Sequence, residues 1–457
     1  MTIRPTRYTA RWILPVTAPP IRDGAVLVDA DGRIAAVGPD HAVPTPPDAA
    51  SIELGDAAIL PGLVNVHSHP ELSAFRGLLD DLPFHEWIPT LHRTRRAAAL
   101  TEEDWAAAAR WSCVEALAAG ITTMGATEDS TAALDAFLDA GLRGIAYREV
   151  FGPAPHQADG AIATLRERVE RMRRRETDRV RVGISPHAPY TVSDELFRLT
   201  AEYALAEGLP VAIHAAEAEA ELRLVRDGAG PFAAGLRARG IDTRPRAPST
   251  IRLLDRLGAL RTRPLLIHCV HVDGDDCRRM ADAGAAVAHC PIANARLGHG
   301  VAPVPEMLDA RLTVGLGTDS VASNNRLDLF EEGRLAQILQ RARLRDATAL
   351  PADRLLRLAT LDGARALGLD ARIGSLEPGK DADLCAVSFA GAHTVPLHDP
   401  ASTLFHAARG ADVLLTVVQG CILFREGAVL TLDAAALRSR VEAVAARLRA
   451  ARDAPDR

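Results

Sequence analysis

From Ile59 to Ser320 the chain repeats one rhythm, a short run of β-formers closing in polar residues and then a longer stretch with apolar residues at helical spacing. Eight such runs occur: AILPGLVNVHSH (58–69), GITTMGAT (120–127), GIAYREVFG (144–152), RVRVGISPHAP (179–189), GLPVAIHAAE (208–217), RPLLIHCVH (263–271), GAAVAHCP (284–291) and LTVGLGTDS (312–320). The stretches between them, such as TEEDWAAAARWSCVEALAAG (101–120) and SDELFRLTAEYALAEG (193–208), start at Thr or Ser and end at Gly, as capped helices do. Eight alternations of strand and helix predict an α/β fold whose parallel strands close into a (β/α)8 TIM barrel.

Outside this region RYTARWILPV, GAVLVDADGRIAAVG, KDADLCAVSF and DVLLTVVQGCILFREGAVL alternate or turn like antiparallel strands. They lie at both ends, so the simplest packing joins them in a small β-sandwich beside the barrel. The chain then divides into 1–57 (first part of the sandwich), 58–372 (barrel), 373–430 (second part of the sandwich) and a terminal helix in 431–457. At 457 residues a second domain is expected, because a single core stops growing near roughly 250 to 300 residues.

Composition narrows the class. Hydrophobic content of 48% with 25% charge is that of an ordinary globular protein. No apolar run approaches the roughly 20 residues that span a bilayer, and the N-terminal residues lack a secretory apolar core. The net charge of −6 gives no footprint for nucleic acid, and the basic run RERVERMRRRE (166–176) reads as a solvated helix face. Six cysteines form no CxxC pair and fit buried thiols of a reducing, cytoplasmic setting. Lys380 is the only lysine.

The polar residues crowd the last positions of the predicted strands, the face on which such barrels carry their chemistry. His67 and His69 end the first strand, and alternation puts both imidazoles on one side. His214 ends the fifth, His268 the sixth and Asp319 the eighth, so His67, His69, His214 and Asp319 are predicted to hold a metal ion. Nitrogen and carboxylate donors without thiolate suit Zn2+, with Fe2+ the other choice, over Mg2+ or Ca2+. A two-metal site would need a carboxylated lysine inside the barrel, and Lys380 lies outside it, so one divalent metal per chain is expected. A cation so held makes its water acidic enough to attack near neutral pH. Asp319 would accept the proton, His268 orient the nucleophile, and Glu217, three residues beyond His214, protonate a ring nitrogen of an amidine-like substrate and then the departing ammonia.

The motifs PGLVNVHSHPELSAFRG, PHAPYTVS, HAAE, HCVH, AHCPIANARLGHG, GTDSVASNNRLDLFEE and IGSLEPGKDADL together resemble the amidohydrolase superfamily, in its mononuclear branch of nucleoside, guanine and triazine hydrolases. The resemblance implies metal ligands His67, His69, His214 and Asp319, with Glu217 and His268 handling protons. It also implies that His187 contacts the substrate base and that Trp87 lines the pocket, with Asn294, Ser323 and Asn324 bracing loops. Arg148 is a further substrate-binding candidate, followed by His85, His271 and His299. The implied partners are a small heterocyclic substrate and further copies of the chain. Where adenosine-type deaminases carry a ribose-binding carboxylate, EWIPTLHRTRRAAAL offers Arg95 and Arg96. That departure, with HxHxELS, favours a 6-aminodeoxyfutalosine deaminase, whose benzoate an arginine could hold. Deaminases of adenosine, methylthioadenosine or S-adenosylhomocysteine, and a triazine-type chlorohydrolase, are the alternatives, and a catalytically silent scaffold would have lost ligands that are all present. The stretch from Glu219 to about Leu260 is long for a βα connection and reads either as a lid or as a surface insertion without catalytic duty.

Overall fold

The computed structural model describes residues 4–454. Five strands come first, β1 (Thr6–Ile13), β2 (Ile21–Val28), β3 (Ile34–Pro39), β4 (Ala50–Glu53) and β5 (Ala57–Pro61). Eight follow as the barrel: β6 (Leu63–Ser68), β7 (Ile121–Glu128), β8 (Arg143–Val150), β9 (Val180–Pro186), β10 (Ala212–Ala215), β11 (Leu265–His268), β12 (Ala286–His289) and β13 (Thr313–Leu316). Four more close the chain, β14 (Leu384–Ser388), β15 (Val413–Val418), β16 (Cys421–Arg425) and β17 (Ala428–Val429).

All eight predicted barrel strands form. They pair in parallel as β6–β7–β8–β9 and β10–β11–β12–β13. Parallel bridges between Ile184 and Val211 and between Ser68 and Asp319 join the two halves into a ring. The strands from both chain ends meet as expected, but in one continuous nine-stranded sheet in which β14 lies antiparallel to β5.

One boundary differs from the expectation. The apolar run 58–69 is two strands: residues 57–61 belong to the end sheet, and the barrel starts at Leu63. Gly62 makes the switch possible, since a Cβ there would lie 2.2 Å from Thr122 Cγ2. The stretch from Glu219 onward is also no open loop. It holds helices Glu219–Asp227, Pro231–Ala238 and Thr250–Arg256, and its Phe232 stacks on Tyr190 at 4.3 Å.

Helix α1 (Phe84–Ala98) and helix α2 (Glu102–Ala118) separate β6 from β7. Thr101 starts α2 with a capping box, accepting from the Asp104 amide at 3.2 Å while Asp104 accepts from the Thr101 amide at 3.0 Å. The terminal helix expected in 431–457 is Ala434–Asp453, and residues 455–457 of that stretch lie outside the described residues. Its buried Val444 and Leu448 share an apolar cluster with Trp87 and Leu91 of α1. Among the described residues no helix is long and apolar enough to cross a membrane.

The barrel is fastened to the end sheet by a buried charge cluster. Arg143, at the start of β8, donates to Asp383 at 2.8 and 3.1 Å and to Asp381 at 2.9 Å, and all three side chains are 1% exposed. Arg143→Met should therefore destabilise the fold by about 3 kcal/mol or more, because Asp383 stays buried without its cation while Asp381 keeps only Arg372. The check is the denaturant midpoint at unchanged slope, and a shift below about 1 kcal/mol would mean the carboxylates find water instead.

Candidate active site

The cleft opens at the C-terminal ends of the barrel strands, lined by His69, His187, His214, Glu217, His268 and Asp319 among others. Helix α1 forms one wall. Trp87, Ile88, Leu91, His92 and Arg95 all line the cleft, and their spacing puts them on one helical face. Trp87 Nε1 is buried with no hydrogen-bond partner among the described residues.

The four expected ligands converge. His67 Nε2 and His69 Nε2 lie 3.3 and 3.6 Å from Asp319 Oδ1. The rings of His67 and His69 are 4.9 Å apart, and that of His214 lies 5.0 Å from His67. Donor atoms of His67, His69 and Asp319, and of His67, His214 and His268, form two overlapping groups, each within 4.8 Å.

Neighbouring hydrogen bonds set the direction of each ring. His214 Nδ1 lies 3.3 Å from the His187 carbonyl, which points its Nε2 at the centre. Asn294 Oδ1, 2.9 Å from His268 Nδ1, does the same for His268. Ser323 Oγ donates to Asp319 Oδ2 at 2.6 Å, leaving Oδ1 to the centre. Asn324 braces the same loop through the Thr318 carbonyl and Glu332. The backbone is strained here as well, with left-handed φ at Ala216 (52°), His268 (74°), Cys269 (47°) and Asp319 (57°). Such conformations cost about 1 to 3 kcal/mol each and gather where geometry serves function. At Asp319 the conformation is held by the backbone N–H, which donates to the His67 carbonyl at 3.0 Å.

The electrostatics match a cation. Burial, then the neighbouring imidazoles, lower the basicity of His214 well below the usual range, and burial and His67 bring His69 down to about 3. Both rings are therefore neutral near pH 7, the form that binds metal. Burial would raise the Asp319 carboxyl, but His67, whose Nε2 approaches to 3.3 Å, and the other surrounding rings hold it well below the ordinary carboxylate range. His67 Nε2 is buried without a well-formed hydrogen bond, an orphaned donor site that a metal ion would fill. The donor set fits a divalent ion.

Glu217 overhangs this centre. Its Oε1 lies 3.5 Å from His268 Nε2 and 3.2 Å from His299 Nε2, and its Oε2 accepts from the Tyr190 hydroxyl at 3.2 Å. Burial pushes its carboxyl up, and the two imidazoles more than offset this, leaving it below its usual value. His187 lines the cleft with Nδ1 2.8 Å from Thr191 Oγ1.

Other expected contacts lie elsewhere. Arg148 is not among the residues lining the cleft, and its Nη1 donates to the Ser130 carbonyl at 2.9 Å. His85 pairs outward with Glu86 and His271 with Glu219. Arg95 does line the cleft, but its Nη2 is fixed on Asp129 Oδ1 at 3.0 Å. Arg246 and Arg256 of the insertion pair with Asp194. Sequence reasoning passed over Tyr190, Glu71 and Glu149, although Tyr190 and Glu71 sit inside the motifs PHAPYTVS and HPELS.

Residues 58–423 match the amidohydrolase family. Over 433 residues the chain is 36% identical to a 5-methylthioadenosine/S-adenosylhomocysteine deaminase of Syntrophobacter fumaroxidans, covering 92% of this chain and 93% of the relative. It is 35% identical to a 5'-deoxyadenosine deaminase of Methanothermobacter thermautotrophicus, covering 94% and 95%. The solved structure of an adenosine deaminase from Xanthomonas campestris with bound zinc superposes with a TM-score of 0.85 at 30% identity, covering 97% of this chain and 98% of that one.

Proposed function

The chain belongs to the amidohydrolase family, and from that premise we propose that it is a metal-dependent aminohydrolase that replaces the exocyclic amino group of a purine-like base by oxygen and releases ammonia. The observation that carries this reading is the pair of ligand-distance groups sharing His67, one with His69 and Asp319 and one with His214 and His268, with Glu217 3.5 Å from His268. We assign His67, His69, His214 and Asp319 as ligands of one divalent ion, Zn2+ before Fe2+, because no lysine is available in the barrel to bridge a second. When bound, such an ion supplies a Lewis acid that makes a water molecule a nucleophile at neutral pH.

The remaining roles belong to side chains. Asp319 Oδ1 takes the proton that the attacking water loses, its carboxylate kept ionised by the rings around it. His268, fixed by Asn294, orients the nucleophile. Glu217 Oε1, ionised at rest, receives the other proton of the attacking water and passes it to the ring nitrogen, then relays the proton held by Asp319 to the leaving amine, while the Tyr190 hydroxyl donates to its other oxygen. Trp87 and His187 bound the base from two sides of the cleft.

The names of the relatives support an adenosine-type nucleoside without a free 5'-hydroxyl as substrate. An anionic benzoate is less well served, since Arg95 is already paired and buried carboxylates stand near it. We read the barrel from Leu63 to about residue 372 as the catalytic unit, with the single end sheet formed by the strands on either side of it and the helix Ala434–Asp453 packed against it. Assembly with copies of itself in the cytoplasm belongs to the same reading.

The test is product release by the zinc-loaded protein. Ammonia should appear from 5'-deoxyadenosine, methylthioadenosine or S-adenosylhomocysteine, with about one metal per active chain. Chloride from a chlorotriazine, with no ammonia from any purine, pterin or 6-aminodeoxyfutalosine, would make it a dehalogenating hydrolase instead. Two metals per active chain would overturn the assignment of the centre.

A further inference from the structure

Behind Glu217 stands an imidazole that the reaction above leaves unused. His299 lies in the loop between the helices Pro291–Arg296 and Val304–Asp309, and it is not among the residues lining the cleft. Its side chain is 2% exposed, and its Nε2 comes within 3.2 Å of Glu217 Oε1. That contact falls short of a well-formed hydrogen bond, and Nε2 has no other partner among the described residues. Hydrogen bonds that serve a reaction are often poorly aligned before substrate binds and tighten in the complex.

The loop is built to aim this ring. Gly298 and Gly300, on either side of His299, hold positive φ of 70° and 111°, conformations that glycine adopts without strain. The His299 amide donates to the Asn294 carbonyl at 2.9 Å, while the Asn294 side chain fixes His268. One short segment thus places both imidazoles that face Glu217. On another side the His299 ring meets Phe84 edge-on at 4.5 Å, and Phe84 is part of the cleft wall.

Packing alone does not explain a histidine here. Leucine or phenylalanine would fill the space beside Phe84 without burying a nitrogen that lacks a good partner, which is costly. Nor does His299 serve the metal, since among the described residues it belongs to no group of donors at ligand distance. Glu217 is what remains. Its Oε2 accepts from the Tyr190 hydroxyl, and its amide donates to Glu221 at 3.0 Å. Its Oε1 lies between His268 at 3.5 Å and His299 at 3.2 Å. His268 orients the nucleophile, so His299 is the imidazole left to hold Oε1.

Resting on the aminohydrolase reading, we infer that His299 is a positioning residue for Glu217: its Nε2–H holds Oε1 toward the reacting ring while Tyr190 holds Oε2, so the carboxylate receives and passes protons without swinging away. In the zinc-loaded full-length protein, His299→Leu should lower kcat by about 10- to 100-fold, with KM within about 3-fold and zinc retained. His299→Gln, whose side-chain amide can offer an N–H in the same place, should stay within about 5-fold of full activity. Because His299 acts through Glu217, the double variant Glu217→Gln/His299→Leu should lose no more than Glu217→Gln alone. Losses that multiply in the double variant, equal losses in His299→Leu and His299→Gln, or full activity in His299→Leu would each overturn the inference.

Nitrogen-15 NMR of the unaltered protein needs no variant to fold and no turnover. The His299 ring should carry its proton on Nε2, and a ring protonated on Nδ1 alone removes the inference whatever reaction the protein catalyses. Absence of ammonia from every purine, with His299 protonated on Nε2, sinks the deaminase reading and leaves the pairing of His299 with Glu217 in place.

Discussion

Glu217→Gln is expected to lower kcat by about 10² to 10⁴ while the protein keeps its metal. Glutamine fills the same space, so Tyr190 and His299 keep a neighbour of equal size, and the substitution removes only the ability to hold and pass a proton at Oε1. Glu217 is also outside the set of four side chains assigned to the ion, so metal content measured on the purified variant should match the unaltered protein. Its surroundings sharpen the expectation: a buried carboxyl kept acidic by two imidazoles is ionised near pH 7 and ready to receive a proton. KM should change far less than kcat, because the proton moves in the transition state and not on binding. A variant within a few-fold of full activity would transfer the role to another group, and His299 would be the first to examine.

The barrel and its metal-fitting centre were legible because both are written locally. Polar residues at strand ends break an apolar run in a visible way, and the two-residue period of a strand puts His67 and His69 on one side without further information. The start of the barrel was not legible. Residues 58–69 are apolar on both sides of Gly62, and an apolar run reads the same whether it pairs with β14 or with β7. Side-chain partners distant in sequence were equally hidden: that Arg95 is taken by Asp129 and Arg148 by Ser130, and so do not await an anion, is a fact of three-dimensional neighbours. Glu71 and Glu149 escaped for the converse reason. A carboxylate becomes noteworthy when it is buried without a partner, and only space can show that no partner came.

Asp319 provides the second large effect, and a graded one. Asp319→Asn should lower kcat/KM by at least about 10³-fold, since on the proposed reading this side chain both neutralises the ion and accepts the proton of the attacking water. The backbone should tolerate the change: Asp319 sits at φ 57°, a left-handed conformation that asparagine adopts readily. Metal content should fall as well, because one anionic donor is replaced by a neutral one. Ser323→Ala leaves the carboxylate in place but removes the 2.6 Å hydrogen bond that turns Oδ1 toward His67 and His69, and should cost about 10- to 100-fold. The order of the two losses carries the information. If orientation alone mattered, both variants would fall equally; if the carboxylate's charge and basicity matter, Asp319→Asn must fall further and shed metal. Full metal content with kcat/KM near that of the unaltered protein in Asp319→Asn would leave the centre without the group on which its chemistry depends.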